Sequence, residues 1–415
     1  MKNRPYILFV APTAYPICGA EGYVNAKLIK ALSEEGFKID LLSRGISRNV
    51  FYPPVWEDDF FFSRVNAKYV IPVDTHYDLK TIIRHVFAFC KTGYIYRGID
   101  WVFPAIKKCE ELISENKYDF IYTFDYPSEV VGLYLSKKYT IKWVSVWNDP
   151  YMLVKYPIPY GKGVKGKIPF FRKKLIKDIG KIVYKNIFPS SRLRDYMLTY
   201  MKNMDEKSCV ICPHINLISL NKPNDKKLGN RLDILHSGNL GKERNPFSFC
   251  KGFALFLKKY PQARICVTFL GINGLGNSEL QPLLDKYKLN DYFKVCPPVS
   301  YFDSLELIHK YDICMLIEAP CKEGIFLPSK IADYMQNHKP IWAISPKVGT
   351  LNDMYNEHCI DYFSDVESPE HICKTLSIIY EDYIKGKIGL DNIYYEKFSQ
   401  ETIVKTHVKN IVGVC

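Results

Sequence analysis

What most constrains this chain is a rhythm of short apolar segments separated by longer amphipathic ones, run through twice. YILFVA (6–11), FKIDLLS (37–43), KYVIPV (68–73), DFIYTF (119–124) and KWVSVW (142–147) are apolar along most of their length, not on alternate positions. A strand of that kind buries both faces. Between them lie stretches of helical periodicity, from about Ala20 to Glu35 and over 77–90, 99–116 and 127–138, the first ended by Gly36. Strands apolar on both faces and separated by helices predict a parallel sheet covered on both sides. After the polar loop NKPNDKKLGN (221–230) the rhythm restarts. LDILHSG, ARICVTFLG, YFKVCPP, DICMLIE and KPIWAIS read as strands. Helical PFSFCKGFALFLKKY, SELQPLLDKYKL, SLELIHKY and a helix opening near Pro328 alternate with them. The expected class is α/β, with two consecutive Rossmann-like doubly wound domains. ETIVKTHVKNIVGV closes the chain as a further helix.

Composition narrows the function. With 415 residues, 47% hydrophobic and 24% charged, the chain has the material for two packed cores and is not a disordered polymer. No run of about 18 apolar residues occurs, so no membrane-spanning helix is expected. The start, MKNRPYILFVAPTAYP, is too short in its apolar part and too rich in proline for a signal peptide, and reads as a first strand. A cytoplasmic location follows as the expectation. Thirteen cysteines are scattered, and Cys209-Val-Ile-Cys212 is the only close pair. Without a second pair at zinc-site spacing these read as reduced, mostly buried thiols.

The net charge of +13 invites a polyanionic partner. It is unevenly spread: between Lys155 and Lys185 there are ten Lys/Arg and one acid, Asp178, with Tyr156, Tyr160, Phe170 and Phe171 interleaved. Such a run is either a solvated basic surface or a patch that meets anionic lipid, aromatics dipping and lysines pairing with headgroups. The aromatic content favours the membrane surface. No nucleic-acid motif is present, and no nucleic-acid partner is expected.

Parallel α/β sheets bind ligands beyond the carboxyl ends of their strands, so the loops there carry the candidates. After the first strand come Gly19, Glu21 and Gly22 at a helix start, where free amides favour phosphate, although most such turns are only turns. Neither the dinucleotide fingerprint nor a Walker A pattern is met. Asp125 follows DFIYTF and Asp149 follows KWVSVW; either is a ligand-facing carboxylate or a turn residue. Lys242 and Arg244 follow LDILHSG at a helix start, where cations oppose the dipole and so favour an anionic ligand. GINGLGNS is a second glycine-rich loop. Glu318 and Glu323 follow DICMLIE, and then KEGIFLPSKIADYM opens a helix carrying Lys330 and Asp333. That pair is either a ligand-binding couple or an i, i+3 ion pair on a solvated edge.

In order and spacing these segments resemble the retaining glycosyltransferase 4 family of the GT-B fold, over nearly the whole chain. ILFVAPTAYPICGAEGY looks like its opening strand and glycine loop, and VICPHI like the strand entering its second domain. LHSGNLGKERNP and EGIFLPSKIADYMQNHKPIWAIS look like its two donor-binding segments. The resemblance implies two Rossmann-like domains facing a cleft. They would span 1–205 on the acceptor side and 206–390 on the nucleotide-sugar side, with a helix over 391–415 crossing back to brace the first. It implies transfer of a sugar from a nucleotide donor to a lipid-linked or polysaccharide acceptor, at or near the inner face of the cytoplasmic membrane, with no metal or other cofactor. Gly19, Gly238, Asn239, Arg244, Ser329, Lys330 and Asp333 are then the donor residues. Asp333 takes the place of the ribose-binding glutamate, and Asn239 stands where the family has arginine. Glu323, or its rival Glu318, would hold the donor sugar. Asp125 falls where relatives place a catalytic acceptor-side His or Asp, and Asp149 lies on the same side. A nucleotide-sugar epimerase of the same fold and a non-catalytic nucleotide-sugar-binding member are the alternatives.

Overall fold

The computed structural model describes residues 4–17, 19–45, 58–72, 79–94, 99–124, 126–217, 229–271, 274–388 and 396–413. Two compact units emerge. One comprises Met1–Val154, Val164–Ile215 and Gln400–Cys415, the other Lys155–Gly163 and Asn216–Ser399.

The first unit holds β1 (Tyr6–Val10), β2 (Lys38–Ser43), β3 (Ala67–Val70), β4 (Phe120–Phe124), β5 (Lys142–Val146), β6 (Lys185–Phe188) and β7 (Cys209–Ile211). They form one sheet in the order β3-β2-β1-β4-β5-β6-β7, and each pairing is parallel. The apolar segments behave as their composition requires: Ile7, Leu8, Phe9 and Val10 of β1 and all five residues of β4 are buried. Each such Leu, Ile or Phe contributes roughly 1.5–3 kcal/mol by leaving water. The buried carboxylate of Asp40 on β2 is fully engaged, accepting hydrogen bonds from the hydroxyls of Tyr6 and Tyr118 and from the Asn66 amide. β6 was not a strand in the sequence reading, and VICPHI was read as the strand entering the second domain. β7 lies within VICPHI's neighbourhood and pairs with β6, so the change of unit falls after it, between Ile215 and Asn216.

The closing helix Gln400–His407 packs with the first unit, where Gln400 donates to Glu34 and buried His407 lies against Tyr122. No described helix is long and apolar enough to cross a membrane. Among the described residues the cysteines are free thiols.

The second unit holds β8 (Leu232–Ser237), β9 (Ile265–Leu270), β10 (Phe293–Cys296), β11 (Ile313–Ile317), β12 (Ile341–Ser345) and β13 (Tyr362–Asp365). The order is β10-β9-β8-β11-β12-β13, all parallel. Every residue of β9, β11 and β12 is buried. The chain leaves β8 for one side of the sheet and returns through β11 on the other. The switch point therefore lies between the carboxyl ends of β8 and β11, where a doubly wound sheet opens a crevice.

Candidate functional site

At that switch point the second unit collects its chemistry. β8 ends at Ser237, and Gly238 follows with φ of +102°. This left-handed backbone suits glycine, and space demands it as well: a Cβ there would lie 3.0 Å from the Lys330 ammonium. Gly271, after β9, faces the same point, its own missing Cβ 3.4 Å from the Gly238 Cα. Two strand ends thus present bare backbone to one spot, and a lysine reaches into it.

Lys330 opens the short helix Lys330–Gln336, which Tyr334 and Ile331 anchor in the core. Tyr334 does more than pack: its buried hydroxyl accepts the Ser237 N–H at 2.9 Å, tying the helix to the end of β8. The Lys330 ammonium is thereby held where burial, with Arg244 close by, lowers its pKa from 10.5 to about 7, opposed in part by Glu318 and Asp333. Among the described residues it has no hydrogen-bond or ion-pair partner. Asp333, one turn on, accepts a 2.6 Å hydrogen bond from the Tyr301 hydroxyl. Lys330 and Asp333 therefore do not form the simple surface pair that their spacing permits.

Arg244 comes from the loop after β8. Its Nη2 lies 3.5 Å from Oε1 of Glu318, the first residue past β11, whose side chain is 8% exposed. Its Nε donates to the Tyr160 hydroxyl at 2.9 Å. Tyr160 and Tyr156 both pack on Phe326, at centroid distances of 5.3 and 5.9 Å. Burial and the neighbouring Glu318 push the Tyr160 phenol up, so it stays neutral. Beneath this group His236 is buried and held neutral by burial, Lys330 and Arg244; its Nδ1 lies 3.2 Å from the Met315 carbonyl, and its Nε2 has no partner. Two cations, one carboxylate and a phenol thus converge on glycine backbone, which is the equipment for an oxyanion carrying more than one charge.

The other candidates of this unit are placed less centrally. Asn239 and Lys242 are exposed, and Ser329 is partly exposed with no capping hydrogen bond. Glu323 sits on the loop whose next residue, Gly324, bridges Gly349: Gly324 N–H donates to Val348 and Thr350 N–H to Gly324. A Cβ on Gly349 would lie 2.6 Å from the Gly324 oxygen, so this loop is set by backbone contact with the start of helix Thr350–Asn356. In the first unit, Gly19 opens helix Gly19–Glu34 with φ of +68° and open space around it. Asn148 donates to Glu21 at 2.6 Å, and Asp149 beside it is partly exposed. Asp125 lies outside the described residues.

Tyr160 is the site residue that sequence reasoning assigned elsewhere. It and Tyr156 were read as lipid-facing members of the basic stretch, but both are packed within the second unit, on Phe326 and, for Tyr160, on Arg244. The residue type gave no signal for this; only the run of prolines and glycines around it, YPIPYGKG, marked a segment free to leave the sheet. Among the described residues no three His, Cys, Asp or Glu side chains are grouped as metal ligands.

Two parallel doubly wound sheets in one chain define the GT-B fold, and solved structures share it over the chain's whole length. Sucrose-phosphate synthase from Thermosynechococcus elongatus is 13% identical over 98% of both chains, with a TM-score of 0.69. Anabaena HepE, solved with UDP and glucose, is 12% identical over 99% of this chain and 100% of its own, also at 0.69. The lipopolysaccharide outer core galactosyltransferase WaaB is 10% identical over 98% and 99%, at 0.56. No protein-family model and no curated protein matches the sequence.

Proposed function

We propose that the chain is a glycosyltransferase that takes its sugar from a nucleoside-diphosphate donor, retains the anomeric configuration and passes the sugar to a lipid-linked or polysaccharide acceptor in surface-polysaccharide synthesis. The observation that carries this reading is the Lys330 ammonium, which has no ion-pair partner among the described residues, above the Gly238 backbone at the switch point and beside Arg244. A bound diphosphate supplies the missing negative charge. The solved HepE complexes with UDP and with UDP-glucose support the donor class.

In this reading the two cations act where charge develops. As the sugar leaves, negative charge grows on the diphosphate, and cations held in place beforehand stabilise it without reorganising. Glu318 and Tyr160 keep the Arg244 fork aimed, which leaves Glu323 to bind the donor sugar. Asp333, steadied by Tyr301, accepts from the ribose. Asp125 and Asp149, with Gly19, serve the first unit's share of the reaction on the acceptor side. The chemistry asks for no metal or other cofactor.

The test is turnover with a panel of nucleotide sugars, with and without lipid-linked acceptors. Release of nucleoside diphosphate that depends on acceptor, and that Arg244→Ala abolishes, is the expected result. Conversion of the donor to an isomer without acceptor would make the protein an epimerase. Nucleotide binding with no turnover on any acceptor would make it a binding protein.

A further inference from the structure

The chain enters the second unit at Asn216 and leaves it after Ser399, and these two ends are stitched together. Asn216 N–H donates to the Phe398 carbonyl at 2.6 Å, and Asn216 and Ser399 form a parallel bridge. The next residue, Leu217, is fully buried, and its N–H donates to Oε1 of Gln336 at 3.1 Å. Gln336 is the last residue of helix Lys330–Gln336, which carries Lys330 at its first position and Asp333 one turn on. One short helix thus runs from the candidate donor residues to the stitched entry and exit of the unit.

Two buried atoms there lack partners. Gln336 is 2% exposed and Asn216 5%. The bond from Leu217 fixes the Gln336 amide with Oε1 as acceptor, which leaves Nε2 to donate; it is buried and has no partner among the described residues. Asn216 Oδ1, on the residue before Leu217, is buried and equally unpaired among them. A buried polar group without a partner costs its full desolvation, so native structures rarely keep one, least of all a donor and an acceptor on residues already joined. Asn337 Oδ1 is also unpaired, but neighbours on a helix point about 100° apart, and the Asn337 amide is fixed by donating to the Asp333 carbonyl at 2.7 Å. Gln336 Nε2 and Asn216 Oδ1 are the two halves of a hydrogen bond that this arrangement prepares and does not make.

We propose that this bond is a latch, closing when a nucleoside diphosphate occupies the donor site and so coupling that site to the entry and exit of the second unit. The inference rests on the donor reading. Lys330 and Asp333 meet the ligand on the same helix, and a tilt of the helix towards it carries the Gln336 amide along; packed elements switch between discrete arrangements on such small shifts. By linkage, whatever the latch gains on closing appears as tighter nucleotide binding.

The test uses the full-length protein and its Asn216→Leu, Gln336→Leu and double variants, titrated calorimetrically with UDP, GDP and ADP. Leucine at 216 removes the acceptor and leaves the Leu217–Gln336 bond in place. Without nucleotide, Asn216→Leu is expected to melt no lower than wild type, since Oδ1 has no bond to lose. The tightest-binding nucleotide should bind each single variant about 3–10-fold more weakly, and the double variant no more weakly than the singles, because all lack the same bond. In hydrogen exchange, that nucleotide should slow the Leu217 amide in wild type and not in Asn216→Leu. Asn216→Leu melting below wild type without nucleotide would mean that Oδ1 is already bonded, as through an ordered water, and overturns the latch. A Leu217 amide that ignores nucleotide also overturns it. If one nucleotide binds wild type and Asn216→Leu alike, the latch fails and the donor reading stands; if none of the three binds wild type, the donor reading fails and the latch with it.

Discussion

Lys330→Met removes the charge at the centre of the site and should make the unliganded protein more stable. The ammonium's pKa of about 7 against 10.5 means that the fold disfavours the charged form. At about 1.4 kcal/mol per tenfold change in proton affinity, carrying that charge at pH 7 costs up to about 4–5 kcal/mol. Methionine fills a similar volume without the charge, though Glu318 and Asp333 lose a favourable neighbour. A net gain of about 1–3 kcal/mol is expected, or about 2–4 °C in melting temperature per kcal/mol. The pH dependence gives the signature. The folded pKa lies below the unfolded one, so between pH 7 and 10.5 the unfolded chain binds the extra proton, and wild-type stability rises with pH across that window. The gap between variant and wild type should be widest at and below pH 7 and close towards pH 10.5. Differential thermal unfolding over this range measures it. A variant that melts below wild type at pH 7, or a gap that ignores pH, refutes the reasoning.

Other perturbations probe the supports. Gly349→Ala places a methyl group 2.6 Å from the Gly324 oxygen and should cost about 1–3 kcal/mol in denaturant unfolding; an unchanged midpoint contradicts the backbone packing. Asp333→Ala should weaken a nucleoside diphosphate by about 10–100-fold in calorimetry while leaving pyrophosphate binding intact, since under the proposed function only the ribose loses its acceptor. Equal losses for both ligands would place Asp333 at the phosphates instead. His407 is buried neutral with its pKa at about 4 against 6.5, so the unfolded chain binds the extra proton between those values and stability falls as pH drops through them. About 3 kcal/mol is at stake, and His407→Phe should flatten the acid limb of a urea-midpoint profile; an unaltered limb contradicts it.

The strands of the two sheets were legible because burial on both faces leaves an apolar run that no neighbour modifies. YILFVA, DICMLIE and KPIWAIS became β1, β11 and β12. β6 and β13 were harder to see, since KNIF and YFSD carry polar residues inside short strands. Arg244, Lys330 and Asp333 could be named from their positions after strands, yet their partners could not. Tyr160 lies 84 residues from Arg244 and Tyr301 lies 32 from Asp333, and nothing local announces either bond. Helix Leu79–Thr92 showed its helical period plainly, but period alone does not say which face meets the core. There the small and polar side, Thr81 and Ala88, turned inward.

The central claim is that Lys330 and Arg244 await the diphosphate of a nucleotide. Calorimetric titration with UDP, the ligand solved in HepE, at pH 7.5 in buffers of different ionisation heat tests it directly. At that pH, above the lowered pKa of about 7, part of the Lys330 population is uncharged, and an arriving diphosphate should draw a proton onto it. The account predicts binding with net proton uptake in wild type, uptake that vanishes in Lys330→Met, and binding lost in Arg244→Ala. Binding without proton uptake, or equal affinity in all three proteins, would contradict it.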